Sequence, residues 1–212
     1  MAYAVKEIFY SLQGEGLHAG RPSVFLRFAG CNLWTGREED RTTAVCQFCD
    51  TDFVGIDGTF GAKYKTSGEL AERVAAMWPA VESASTKYVV CTGGEPLLQL
   101  DKALIRALQA HGFEVAVETN GTIIAPEGLD WICMSPKAGA TTLLTQGNEL
   151  KLVFPQEEAQ PESFEHLDFD HFFLQPMDGP NLQENTEAAL QYCLDHPKWK
   201  LSLQQHKFLQ IR

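Results

Sequence analysis

Between Lys87 and Leu203 the sequence keeps returning to one unit, a short apolar run that ends in a turn of glycine, proline or small polar residues. The runs are Lys87 to Cys91, Phe113 to Glu118, Leu129 to Met134, Asn148 to Phe154, His171 to Gln175 and Trp199 to Leu203. Val5 to Ser11 and Ser23 to Ala29 also read as strands, and in the second Val24, Leu26 and Phe28 alternate with Phe25 and Arg27. Helical patterns fall between the runs. Thr66-Ser67-Gly68-Glu69 has the form of a capping box ahead of Leu70, Val74, Met77 and Trp78 on one face. Leu100 to His111 has Asp101 near its start and Gly112 as a C-terminal stop, and Asn181 to Glu184 opens a helix carrying Ala188, Leu190, Tyr192 and Cys193. Strands alternating with helices predict a parallel sheet with right-handed crossovers, buried on both faces. Arg27, Glu114, Glu118, Lys151 and Gln175 would line one side if that sheet curls. The chain falls short of the ~250 residues of a full eightfold barrel, which leaves an open doubly wound sheet or a barrel of fewer units. In either form ligands sit beyond the C-terminal strand ends, where the glycine-rich turns lie.

No repeat, low-complexity tract or linker divides the 212 residues, and Pro155 to Glu162 reads as a surface loop, so residues 1–212 are expected to form one domain. A net charge of −11 argues against nucleic acid and anionic membranes as partners. The first residues contain no apolar signal core, and a cytoplasmic location is expected. In that compartment six cysteines are better read as thiols or ligands than as disulfides.

Cys31, Cys46 and Cys49 are the residues with the most specific chemistry. A C-x-x-C pair is a common half-site for zinc or an iron–sulfur cluster. Structural zinc wants four ligands, and Cys91, Cys133 and Cys193 stand alone, with His18 the only nearby histidine. Three thiolates suit a 4Fe–4S cluster that leaves one iron open to a small molecule. On the cysteines alone a redox dithiol and a zinc half-site stay open beside the cluster. The charged run Gly36 to Thr43 inside the long gap is assigned no chemistry, and Cys91, Cys133 and Cys193 read as small core residues. After the strand at Lys87, Thr92-Gly93-Gly94-Glu95-Pro96 permits close backbone approach to a ligand. Arg27 fits either a solvated position or a bidentate carboxylate clamp.

The three cysteines with their long first gap, Cys46-Gln47-Phe48-Cys49-Asp50-Thr51, Ser11-Leu12-Gln13-Gly14-Glu15-Gly16 and Thr92 to Pro96 together resemble the 7-carboxy-7-deazaguanine synthase family of radical SAM enzymes. Glu118 to Gly121, Ser135 to Lys137, Gln175 to Asn181 and the His206 tail extend the resemblance over nearly the whole chain. The general radical SAM spacing is C-x3-C-x2-C, and the longer gap here is a variation inside this family. The resemblance implies an α/β fold, an incomplete (β/α) TIM-like barrel with an inserted cluster-binding loop, and a homodimer. It implies conversion of 6-carboxy-5,6,7,8-tetrahydropterin to 7-carboxy-7-deazaguanine with loss of ammonia, through a 5′-deoxyadenosyl radical, in queuosine biosynthesis. Its cofactors would be a 4Fe–4S cluster on Cys31, Cys46 and Cys49, S-adenosyl-L-methionine (SAM), and Mg2+ on Thr51, with an electron donor such as a flavodoxin. SAM would meet Gly93, Gly94, Glu95, Phe48, Asp50, Ser135, Pro136, Lys137, Gln175, Pro176, Met177 and Asp178. The pterin would meet Leu12, Gln13, Gly14, Glu15, Arg27, Thr92, Glu118 and Gln210. Two alternatives are a radical SAM activase acting on a partner protein and a zinc-stabilised domain without catalysis.

Overall fold

The computed structural model describes residues 2–80 and 86–212. Strands β1 (Tyr3–Leu12) and β2 (Pro22–Phe28) form a hairpin, and β3 (Ala62–Tyr64) pairs with the outer edge of β1. From β2 onward the sheet is parallel: β4 (Lys87–Gly93), β5 (Phe113–Thr119), β6 (Trp131–Met134), β7 (Gln146–Phe154), β8 (Asp168–Pro176) and β9 (Trp199–Leu201) follow in sequence order. The nine strands run β3-β1-β2-β4-β5-β6-β7-β8-β9, with β3 and β9 as free edges. The sheet is an incomplete (β/α) barrel and not the open doubly wound alternative. Among the described residues, no helix is long and apolar enough to cross a membrane.

Helix α1 (Ser67–Ala75) begins at Thr66, whose hydroxyl accepts from the Glu69 amide. Glu69 returns its carboxylate to the Lys65 amide, one residue earlier than a strict capping box places it. Met77 and Trp78 lie past the helix end yet still pack on the core. Helix α2 (Lys102–Ala110) is capped by Asp101, which accepts both from the Leu104 amide and from the Tyr3 hydroxyl. One carboxylate therefore caps a helix and ties it to β1. Helices α1 and α2 cover Val24, Leu26, Val89, Val115 and Val117 on the outer face of the sheet.

The crossovers from β5 to β6 and from β6 to β7 are loops, and Leu144 and Ala159 from loops cover the outer face near β7 and β8. Helix α3 (Leu182–Asp195) buries Ala189 and packs Tyr192 and Cys193 on the core as expected, while Ala188 and Leu190 face solvent. Asn181 precedes it without a side-chain cap. A short α4 (Gln205–Leu209) closes the chain.

Strand parity decides what the inner face offers, because successive side chains point to opposite sides. Its lower layer is apolar and aromatic: Phe9, Phe25, Tyr88, Val90 and Ala116, with Trp131 against them. One step nearer the C-terminal strand ends come Arg27, Thr92, Glu118, Cys133 and Lys151, with Arg27 level with Thr92 and Glu118 level with Cys133. Glu114 shares that face but sits lower, paired with Arg21.

Candidate active site

The polar layer is the floor of a cavity of about 390 Å³ at the C-terminal ends of the strands, within the range that suits a small ligand. Cys31, Cys46 and Cys49 all stand on its wall. Cys31 follows β2 through Gly30, a glycine at φ +91°. Gly93 and Gly94 end β4 against that turn. A Cβ on Gly94 would collide with the Gly30 carbonyl and the Cys31 side chain, so the two strand ends close only without side chains there. The Glu95 amide then donates to the Gly30 carbonyl (2.9 Å).

The charged insertion has a structural task that its composition does not reveal. Arg41 stacks over the Trp34 ring at 4.0 Å and pairs with Glu38. Its guanidinium donates to the carbonyls of Gln47 (2.9 Å) and Cys49 (3.1 Å), which fastens the C-x-x-C loop. The Cys46 amide donates to the Leu33 carbonyl, joining that loop to the Cys31 turn. Cys46 and Cys49 titrate as a pair: the hydrogen bond between them, despite burial, lowers Cys49 to about 6 and raises Cys46. Burial raises Cys31.

A second part of the cavity lining is a network of donors converging on two carboxylates. Lys151, buried on β7, donates to Glu15 (2.5 Å) and lies 3.6 Å from Glu118. Gln13 donates to Glu118 (3.1 Å), as does the Thr92 hydroxyl (3.4 Å). Burial pushes the Glu15 carboxyl up, but Lys151, His206 and Gln204 outweigh it and hold it low. Above this wall Arg27 donates Nε to Glu7 (3.0 Å), and the other oxygen of Glu7 accepts from Arg212 (3.0 Å). Arg27 is thus a positioned cation on the cavity and not a solvated one. Leu12 and Gly14 complete this side; a Cβ on Gly14 would strike the His206 ring.

On the third side lie Phe48, Asp50, Ser135, Lys137, Gln175, Pro176, Met177 and Asp178, with Thr51 beside them. Lys137 donates to the Ser135 carbonyl (2.7 Å) and hydroxyl (2.6 Å). Burial draws its pKa down. Lys207 bridges Asp50 (2.6 Å) and Asp178 (2.5 Å), joining the cysteine loop to the end of β8.

Three expected residues are off the wall. Glu95 is wholly buried, accepting from the Leu97 and Asn120 amides and the Thr119 hydroxyl, so its carboxylate braces β4 to β5. Pro136 is turned inward. Gln210 is exposed in the left-handed region (φ +53°) at the end of α4, and the tail reaches the cavity through Gln204, His206, Lys207 and Arg212 instead. Cys133 was expected as core but lines the cavity, 3.4 Å from Glu149. Cys91 is core and Cys193 packs at the edge of it. Lys151 carries the signal that singled out Arg27, a charge inside an apolar strand. Glu7, Arg41 and the tail residues carry none, because their partners are far away in sequence.

The donor set fits a cluster better than a single ion. Among the described residues no three His, Cys, Asp or Glu side chains converge to hold one metal ion. A cubane cluster places each thiolate on a different iron, so its ligands need only share a wall. A tetrahedral zinc site would need four donors at one point.

Residues 41–144 match the radical SAM superfamily. The whole chain aligns with 7-carboxy-7-deazaguanine synthase of Bradyrhizobium diazoefficiens, at 65% identity over 212 residues and 100% of both chains. It is 62% identical to the enzyme of that name from Bordetella pertussis, again over 100% of both chains. The crystal structure of QueE from Escherichia coli superposes with a TM-score of 0.73 at 26% identity, covering 97% of this chain and 95% of that one.

Proposed function

The chain belongs to the 7-carboxy-7-deazaguanine synthase family of radical SAM enzymes, and from that premise we propose that its cavity converts 6-carboxy-5,6,7,8-tetrahydropterin to 7-carboxy-7-deazaguanine and ammonia. The product is the substrate less one ammonia, so the conversion is redox-neutral. The observation that carries this reading is that one chamber is lined both by the three thiols and by Arg27 with the Glu15–Lys151–Glu118 network.

Cys31, Cys46 and Cys49 would hold the 4Fe–4S cluster, which together with SAM would supply the 5′-deoxyadenosyl radical. The chain's own residues hold the reactants. The close approach at Gly93 and Gly94 leaves backbone groups for the methionine end of SAM. Phe48, Asp50, Ser135, Lys137 and the Gln175 to Asp178 segment frame its nucleoside. Arg27, oriented by Glu7, keeps guanidinium donors free for the pterin carboxylate. Glu15 and Glu118 accept from the N–H groups of the ring, while Gln13 and Thr92 fix Glu118. Gln204, His206 and Lys207 roof the chamber and exclude water.

Mg2+ belongs to the same proposal. It would rest on the Thr51 hydroxyl, with water and substrate oxygens as further ligands, a sparse set that this ion tolerates. A flavodoxin-type electron donor, a homodimer and a cytoplasmic location complete it. A chamber of about 390 Å³ suits a small molecule better than the segment of a partner protein that an activase must admit.

The test is anaerobic turnover of the cluster-loaded protein with SAM, a reductant, Mg2+ and 6-carboxytetrahydropterin, followed by mass spectrometry. Formation of 7-carboxy-7-deazaguanine is expected. Formation of 5′-deoxyadenosine without it would keep the SAM site and reject the pterin.

A further inference from the structure

We propose that Lys151 is a specificity-determining positioning residue: its ammonium, set between Glu15 and Glu118, keeps both carboxylates ionised and hydrogen-bond accepting, so that the heterocycle edge they face must present N–H donors. This rests on the pterin reading and names the part of the pterin that is recognised. Lys151 Nζ stands 2.5 Å from Glu15 Oε2 and 3.6 Å from Glu118 Oε1, with its side chain 5% exposed. The two carboxylates take every other bond from a donor as well. Gln204 Nε2 donates to Glu15 Oε1 (3.1 Å), Gln13 Nε2 to Glu118 Oε1 (3.1 Å) and Thr92 Oγ1 to Glu118 Oε2 (3.4 Å).

Without a cation, carboxylates crowded in a buried wall relieve their repulsion by binding a proton. A protonated carboxyl is a donor as well as an acceptor. Glu149 also faces the ammonium, and His206 lies by Glu15, so Lys151 is the positive charge set among the carboxylates Glu15, Glu118 and Glu149. A 2-amino pterin offers this wall an amino group and a ring N–H. A lumazine, with a 2-oxo group in place of the amine, sets a carbonyl oxygen against those carboxylate oxygens.

The experiment measures equilibrium binding of 6-carboxypterin and 6-carboxylumazine to the cluster- and SAM-loaded protein, in wild type, Lys151→Met and Lys151→Arg. Wild type is expected to prefer the pterin by roughly 10- to 100-fold, the range of a hydrogen bond to a charged group. Lys151→Met is expected to lose most of that preference and Lys151→Arg to recover it. Equal weakening of both ligands in Lys151→Met, with the preference intact, would assign Lys151 a merely structural role and overturn the proposal. Should Lys151→Met fail to load its cluster, Glu118→Gln, which puts an amide donor on the same wall, decides instead: an unchanged preference rejects the idea. A wild type that binds neither compound refutes the pterin reading itself, whereas one that binds both equally refutes only the role of Lys151.

Discussion

Glu95 accepts three hydrogen bonds at a position with no exposure, from the Leu97 and Asn120 amides and the Thr119 hydroxyl. Glu95→Gln turns one of those oxygens into a donor facing a donor. The expected cost is about 1–3 kcal/mol of stability, the penalty of a buried unpaired group. Urea unfolding measures it, and an unchanged midpoint would mean that the brace holds nothing. Glu15 sets a pH dependence. Its folded-state pKa lies near 2 against an ordinary 4.5, because Lys151 more than offsets its burial. A lowered folded value means that its ionised form contributes stability above 4.5, and that this contribution fades as pH falls from 4.5 toward 2. The stability gap between wild type and Glu15→Gln should therefore narrow over that window in parallel denaturant titrations. A gap that stays constant to pH 3 would show that Glu15 is not held ionised by its neighbours. The need for Glu15 at the site was legible only through its likeness to a known motif. Its partner Lys151 is 136 residues away, and no local pattern joins the two.

At the scale of elements, the signals that were read correctly are local ones. Asp101 caps α2 and Thr66 caps α1 as their spacing implied, and the alternation of Val24 to Phe28 sorted the two faces of β2. Failures came where tertiary cover replaces periodicity. Loops carrying Leu144 and Ala159 cover the outer face near β7 and β8 with no helical period to announce them, and α3 has apolar residues spread around it, so its sequence could not show that Ala189 is the buried one. Gly68 in α1 is a case where the local rule predicts an improvement. A Cβ there meets nothing within 4 Å, and its φ is not in the left-handed region. Gly68→Ala should stabilise by roughly 0.4–1 kcal/mol, mainly by restricting the unfolded chain. Gly94→Ala should do the reverse, since the Gly30 backbone blocks the added carbon and cannot move without Cys31. Overpacking of this kind costs about 1–3 kcal/mol. Thermal melts of the two variants should shift in opposite directions, and a common direction would reject this account of the Gly30–Gly94 contact.

The whole molecule brings the site together from segments that share no local signal. The β2 turn gives Cys31, the insertion fastens Cys46 and Cys49, and the tail after β9 returns to lie over both. Lys207 is the tail's firmest anchor, bridging Asp50 on the cysteine loop, 157 residues away, to Asp178 beyond β8. These are the two segments expected to frame the nucleoside of SAM. Its side chain is 36% exposed, so the pairs are partly screened by water and each adds at most about 1 kcal/mol to folding. Their larger effect is geometric, because the bridge fixes how far apart the two segments stand. Lys207→Ala should lower the melting temperature by only a few degrees, at about 2–4 °C per kcal/mol for a chain of this size. SAM affinity, measured by calorimetry on cluster-loaded protein, should fall by roughly fivefold to tenfold, the equivalent of about 1 kcal/mol or slightly more of lost preorganisation. Asp178→Asn, which weakens one end of the bridge and keeps its shape, should fall between the two. If Lys207→Ala binds SAM as tightly as wild type, the tail does not set the width of the site, and its cover over the chamber serves only to keep out water.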